Sequence, residues 1–364
     1  MRNYFLKRWF WVIPGILAFL LTQYARLHPA WTETVYSLTI YPVLANVVGF
    51  LPSLVSFSVT EWLMLLFIVA CLIAIIFSVR KFIVTKKERK MLVYRGIVSV
   101  LAIVSMIYFL FTLLCGLNYY RYTFTDYTGY DIGHSSQGEL GQLCANLADE
   151  LVEIREELPT DIYTSTEFAT YSEKSVDAMQ ELADDYPVLE RSFYSHPKPV
   201  LLSKIMSSAG ITGVFFPFTM ESNVNRDVPF YTIPATMTHE LAHQVGFMRE
   251  DEANFIAYLA CKEVKDPLMK YSGLSLAFSY AISALNRVSP EKANAVKSRL
   301  SPQVQQDRAY NSDYFRRYRG KFYDFSTNVN NTYLKANNQK DGVASYGRMV
   351  ELLLAEQQHQ RNSE

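Results

Sequence analysis

Apolar residues are very unevenly spread along this chain. Three apolar stretches without a charged residue stand out: Trp9 to Tyr24, Trp62 to Val79, and Ile97 to Leu117. A bilayer-crossing helix needs about 20 apolar residues, and the second and third stretches reach that with their flanks. The first is shorter and carries Pro14 and Gly15, which membrane helices tolerate. The pattern predicts three spans, at about residues 9–25, 60–80 and 96–117. A cleaved signal peptide is the alternative for the first, with Arg2, Lys7 and Arg8 as its basic start, but no small-x-small cleavage site follows in TQYARLHPAW. The 25–60 segment reads as an outer loop, unusually apolar (YPVLANVVGFLPSLVSF). It either dips into the membrane interface or packs as a lid on the spans.

Beyond Asn118 the pattern changes to short amphipathic segments. Helices are expected over Gln137–Leu158, Glu173–Asp185, Ala235–Gly246, Glu250–Val264, Pro290–Leu300 and Ser345–Gln357. Leu274–Leu285 is apolar but too short to span and reads as a buried helix. Strands are expected over Pro199–Lys204 and Gly213–Thr219. Residues 301–341 are polar and Tyr-rich. The expected organisation is a multi-pass membrane protein, with a membrane domain at 1–117 and a mostly helical α+β domain at 118–364.

Composition sharpens this division. The chain has 364 residues, 35 basic and 35 acidic, and 50% are hydrophobic. Only 19% are charged, against roughly 25% in soluble domains. The balance excludes a disordered chain and gives no basic domain for nucleic acid. The zero net charge is an average of unlike halves. Residues 1–120 hold 11 Lys/Arg and 3 Asp/Glu, a net of +8; residues 121–364 hold the remaining 24 and 32, a net of −8. The basic residues cluster at the N-terminus and in Arg80, Lys81, Lys86, Lys87, Arg89, Lys90 and Arg95, whereas the 25–60 loop has only Arg26. The positive-inside rule then puts the N-terminus and the 80–95 segment in the cytoplasm and residues 118–364 outside it. Trp9, Trp11, Trp31 and Trp62 lie near span ends, as interfacial aromatics do.

The sharpest chemical signal is His239-Glu240-Leu241-Ala242-His243, an HExxH sequence. Residues i and i+4 share a helix face, so both imidazoles can reach one metal ion, and Glu240 is placed to act as general base on a water. Gly246 is a natural helix stop, after which the chain can return with a third ligand. Glu250 and Glu252 are the candidates. Glu250 is preferred because Asn254, four residues on, would stand beside it as a hydrogen-bonding neighbour. Tyr231, Tyr346 and Arg348 are candidate donors to a developing oxyanion. His134 and His196 read as surface residues, and Glu221, Asn223 and Asn225 as a polar turn. Cys71 and Cys115 fall in spans as packing residues. Cys144 and Cys261 either pair as a disulfide or stay buried thiols.

HELAH followed by EDEAN resembles the gluzincin metallopeptidases, in which HExxH precedes a helix carrying the Glu ligand. Asn254 stands where those peptidases commonly have Asp, and the interval from His243 to the Glu is very short. The wider layout, with GLNYYR at 116–121 and SYGRMVELLLA near the end, resembles a domain-of-unknown-function family of bacterial membrane proteins with a zincin-like extracytoplasmic domain. The resemblance implies a zinc-dependent endopeptidase at the outer face of the membrane, acting on peptide or protein. By the same resemblance, Gly213, Val214, Phe215 and Phe216 form a strand that pairs with extended substrate. Two rival readings are a zincin-like sensor or regulatory domain working with a membrane partner protein, and a catalytically idle binding module.

Overall fold

The computed structural model describes residues 9–133, 136–165, 167–192, 194–337, 339 and 347–363. It divides into two compact units. One comprises the chain up to Arg121 together with Pro217–Met220; the other comprises Tyr122–Phe216 and the chain from Glu221 onward. The boundary thus falls just past the expected 117/118.

Among the described residues of the first unit four helices, not the expected three, are long and apolar enough to cross a membrane. They are α1 (Phe10–Leu27), α2 (Pro29–Ser53), α3 (Val59–Val84) and α4 (Arg89–Leu114). The additional one, α2, occupies the segment read as an outer loop. Residues 34–60 carry no charge, but Thr32, Glu33, Thr34, Ser37 and Thr39 make the first part of α2 polar, so the segment resembles a loop in sequence. The structure accommodates that polar part by pairing. Glu33 and Arg121 are both buried and doubly bonded, Nε–Oε2 at 3.0 Å and Nη2–Oε1 at 2.5 Å. The Ser37 hydroxyl donates to Asn118 Oδ1 at 2.8 Å, and the Tyr36 hydroxyl to the Leu113 carbonyl. Polar groups away from water must be satisfied internally, and Glu33, Ser37 and Tyr36 are, while Asn118 Nδ2 has no partner among the described residues. Thr32–Ile40 winds as a π-helix within α2. Helices α1 and α4 approach closely at Gly15, whose amide donates to Ser105 Oγ at 2.7 Å; a Cβ there would sit 2.8 Å from that oxygen. Within this unit the Thr60 and Thr219 hydroxyls lie 2.6 Å apart.

The second unit is built from helices around a small sheet. Its elements are α5 (Gln137–Glu156), α6 (Phe168–Asp185), β1 (Lys198–Pro199), α7 (Ser203–Ser208), β2 (Gly213–Phe216), β3 (Glu221–Val224), α8 (Ile233–Gln244), α9 (Glu250–Glu263), α10 (Pro267–Val288), α11 (Pro290–Lys297), α12 (Pro302–Tyr318), α13 (Lys321–Ala336) and α14 (Gly347–Ser363). Starts follow local chemistry. Ser136 and Glu139 form a reciprocal capping box on α5, and Asp266, Ser289 and Ser301 each cap a helix whose first residue is Pro. The strand expected at Pro199–Lys204 shrinks to β1, because Ser203 already opens α7. The polar, Tyr-rich stretch holds two helices, α12 and α13. Sheet order is β1-β3-β2, with β1 parallel and β2 antiparallel to β3.

Helix α8 lies at the centre of the unit, packed by α6, α9, α10, β2 and β3. A second buried centre is Asp307 on α12. Its carboxylate accepts from Arg155 Nε at 2.7 Å, Tyr271 Oη at 2.6 Å and Tyr163 Oη at 2.7 Å. Cys144 and Cys261 are free and buried, so the disulfide alternative is set aside. Cys261 lies instead beside the Thr238 hydroxyl.

Candidate metal centre

The HELAH motif occupies the second half of α8. Gly246 ends the helix with φ of +98°, a left-handed conformation that disfavours side chains. The Phe247 amide returns to the Ala242 carbonyl at 3.0 Å, and α9 begins three residues later at Glu250. This tight reversal explains how so short an interval brings Glu250 to both histidines.

His239, His243 and Glu250 each point a ligand atom to one spot, all within 4.8 Å of one another. Glu250 Oε2 lies 3.4 Å from His239 Nε2, and Oε1 lies 3.7 Å from His243 Nε2. The rings stand nearly perpendicular, at 85°. Tetrahedral ligands at ~2.1 Å from zinc would sit ~3.4 Å from each other, and the two His–Glu distances are near that value. His243 Nδ1 donates to the Phe247 carbonyl at 2.8 Å, which fixes its tautomer and leaves the Nε2 lone pair facing the cluster.

Glu252, the alternative third ligand, is turned away. Its Oε1 accepts from Arg249 at 2.7 Å and from the Phe124 amide at 3.2 Å. Asn254 sits on the Glu250 face, as the i,i+4 spacing expected. It helps to hold the charged form of His239, and its Nδ2 donates to Tyr280 Oη at 3.3 Å.

Glu240 is buried, 3% exposed, and its Oε2 has no hydrogen-bond partner among the described residues. Burial pushes its carboxyl up to about 8; His239 opposes the rise and Glu250 adds to it. Burial also lowers His243, to about 4, with the charge of His239 acting the same way. Burial opposes protonation of His239, yet Glu250, Glu240 and Asn254 together raise it. In Glu250 the two histidines outweigh burial and lower the carboxyl. A divalent cation among these groups would replace imidazolium as the local positive charge.

Strand β2 lies directly over Glu240. A Cβ added at Gly213 would be 2.4 Å from Glu240 Oε1 and 2.8 Å from Thr236 Cγ2. The Phe215 backbone favours the charged form of Glu240. β2 is an edge strand paired only to β3, with Val214 41% exposed. Gly213 to Phe216 therefore stand beside the cluster.

Other site candidates fall elsewhere. Tyr231 is buried and its hydroxyl donates to the Asp307 carbonyl at 3.0 Å, so it is engaged in the core rather than with an oxyanion. Arg348 lies 3.6 Å from Asp251 on α9. Tyr346 and His134 lie outside the described residues. Glu221 pairs with Lys198 at 2.6 Å, Asn223 bonds within the sheet, and Asn225 ties Ser207 to Ile211. These three serve β3 and its surroundings.

Tyr280 was not singled out by the sequence. It sits on α10, half-buried, close enough to the Glu250 carboxylate to feel its charge. No spacing rule links residue 280 to 239–254, and its segment read simply as a buried helix.

A family model described as "protein of unknown function (DUF3810)" matches residues 36–354. No curated protein and no solved structure matches the chain. The family match begins inside α2 and ends inside α14, taking in both the candidate metal centre and most of the membrane unit, and the chain belongs to the DUF3810 family.

Proposed function

We propose that this protein is a membrane-anchored, zinc-dependent metallopeptidase with a gluzincin-like site. The observation that carries the reading is the convergence of His239, His243 and Glu250 beside a buried, incompletely bonded Glu240. His239, His243 and Glu250 would hold the ion. Zinc in such a site supplies Lewis acidity, polarising a carbonyl and acidifying water. Glu240, buried beside these three groups, is placed to take a proton from the attacking water and return it to the departing amine. The outer edge of β2 is where an extended peptide would find backbone donors and acceptors. Gly213 leaves the space that Glu240 occupies.

For sidedness, α4 is the decisive helix. It runs from the basic 80–95 segment to the start of the second unit. The positive-inside rule puts that segment in the cytoplasm and the metal centre on the opposite face. This holds whether or not α2 crosses; α2 decides only the side of the N-terminus.

The test is peptide-library hydrolysis by the full chain and by Glu240→Gln, each with its metal content measured. The reading expects hydrolysis in the parent, loss in the variant, and equal zinc in both. Hydrolysis undiminished in Glu240→Gln removes Glu240 from its role. Zinc without hydrolysis in the parent favours a binding or sensing domain.

A further inference from the structure

Helix α13 shows two apolar faces where a surface helix normally has one. Inward, Leu334 is fully buried and Tyr323 rests on Gly210, where an added Cβ would lie 2.4 Å from the Tyr323 ring. Outward, Phe322, Phe325 and Val329 are 53%, 64% and 52% exposed. At 100° per residue they fall within one narrow stripe, roughly opposite Leu334 and Tyr323. The exposure continues onto a neighbouring element, since Gly210 closes the α7 segment and Leu202 and Ile205 there are 52% and 55% exposed.

Charge distinguishes this stripe from a simple core defect. The turn into α13 reads Arg316-Arg317-Tyr318-Arg319-Gly320-Lys321, and all four basic residues are exposed. Residues 313–335 hold five Lys/Arg and two Asp/Glu, inside a region whose net charge is −8. Aromatic residues on one face with Lys and Arg at the border are what an interfacial helix needs: apolar burial plus attraction to anionic headgroups. The chain also carries its own candidate spans, which would hold the second unit near a bilayer at high effective concentration.

We propose that α13 is a peripheral membrane-binding helix. Phe322, Phe325 and Val329 insert at the headgroup–acyl boundary, and Arg317, Arg319 and Lys321 contact anionic phospholipid. The partner is a lipid surface, and the assignment is independent of the metal centre.

The experiment uses the full chain in phosphatidylcholine vesicles containing phosphatidylglycerol. An environment-sensitive fluorophore is attached at Phe325→Cys, at Val329→Cys, or at Asp324→Cys on the polar face. All three positions are exposed, so the fold should tolerate them. The unsubstituted chain gives the background from its own cysteines. Labels at 325 and 329 should shift to the blue and lose more than half their emission to bromine-labelled acyl chains, while the label at 324 does not. Reversing Arg317, Arg319 and Lys321 to Glu, or omitting phosphatidylglycerol, should relieve most of the quenching. Labels at 325 and 329 that stay in water overturn the proposal. So do labels that are shielded but not quenched by bromolipid, because protein then covers the stripe. Quenching indifferent to lipid charge overturns the headgroup assignment.

Discussion

Two buried carboxylates in the second unit, Asp307 and Glu240, are surrounded quite differently. Asp307 is saturated: one guanidinium and two phenols reach its oxygens at 2.6–2.7 Å. Glu240 keeps an oxygen without a partner among the described residues, although most of its helix is buried. A buried polar group costs stability unless its hydrogen bonds are made. Asp307 meets that condition and reads as a structural tie joining α5, α10 and α12. Glu240 does not, and an unmet bond at the foot of an edge strand beside two imidazoles and a carboxylate is better explained by chemistry than by packing.

The largest test of this contrast is catalytic. Glu240→Gln should lower hydrolysis by about 10²–10⁴-fold, the usual contribution of general acid–base catalysis, with zinc retained. Steady-state hydrolysis and metal content measure the two parts. The same amide substitution should have opposite consequences for stability at the two carboxylates. Asp307→Ala should destabilise the unit by about 3–5 kcal/mol, since Arg155 is left as a buried, unpaired charge. Asp307→Asn should also lower the melting temperature, whereas Glu240→Gln should leave it unchanged or raise it. Denaturant melts of the metal-free proteins decide this. Comparable losses at both positions would erase the distinction.

Smaller effects sharpen the boundary of the site. Tyr280→Phe removes the hydroxyl that accepts from Asn254, and should weaken zinc binding by about 10-fold, the low end for groups supporting a ligand. Competition with a fluorescent chelator reads this directly. Glu252→Gln should leave zinc stoichiometry intact and cost about 1–3 kcal/mol through its bond to Arg249. Zinc lost from Glu252→Gln but kept in Glu250→Gln would reverse the two assignments.

Much of the site was legible because its parts are close in sequence. HELAH places two candidate ligands on one face by helical period, and the choice of Glu250 over Glu252 rested on one i,i+4 relation to Asn254. What could not be read depends on distant contacts. Tyr280 reaches Glu250 only through the packing of α10 on α9. The fit of Gly213 over Glu240 arises from strand register against β3. In the membrane unit, apolar runs located three helices but missed α2, whose polar first part holds Glu33 and Ser37, paired with Arg121 and Asn118 from far along the chain. The outward stripe of α13 was obscured in the same way by a polar, Tyr-rich composition that masked a clear helical period.

The most direct test of the central claim is the metal content of the purified full chain beside that of His239→Ala. The account predicts one equivalent of zinc per chain in the parent and little in the variant. A parent without stoichiometric metal after zinc supplementation, or a variant that binds as much, would contradict it.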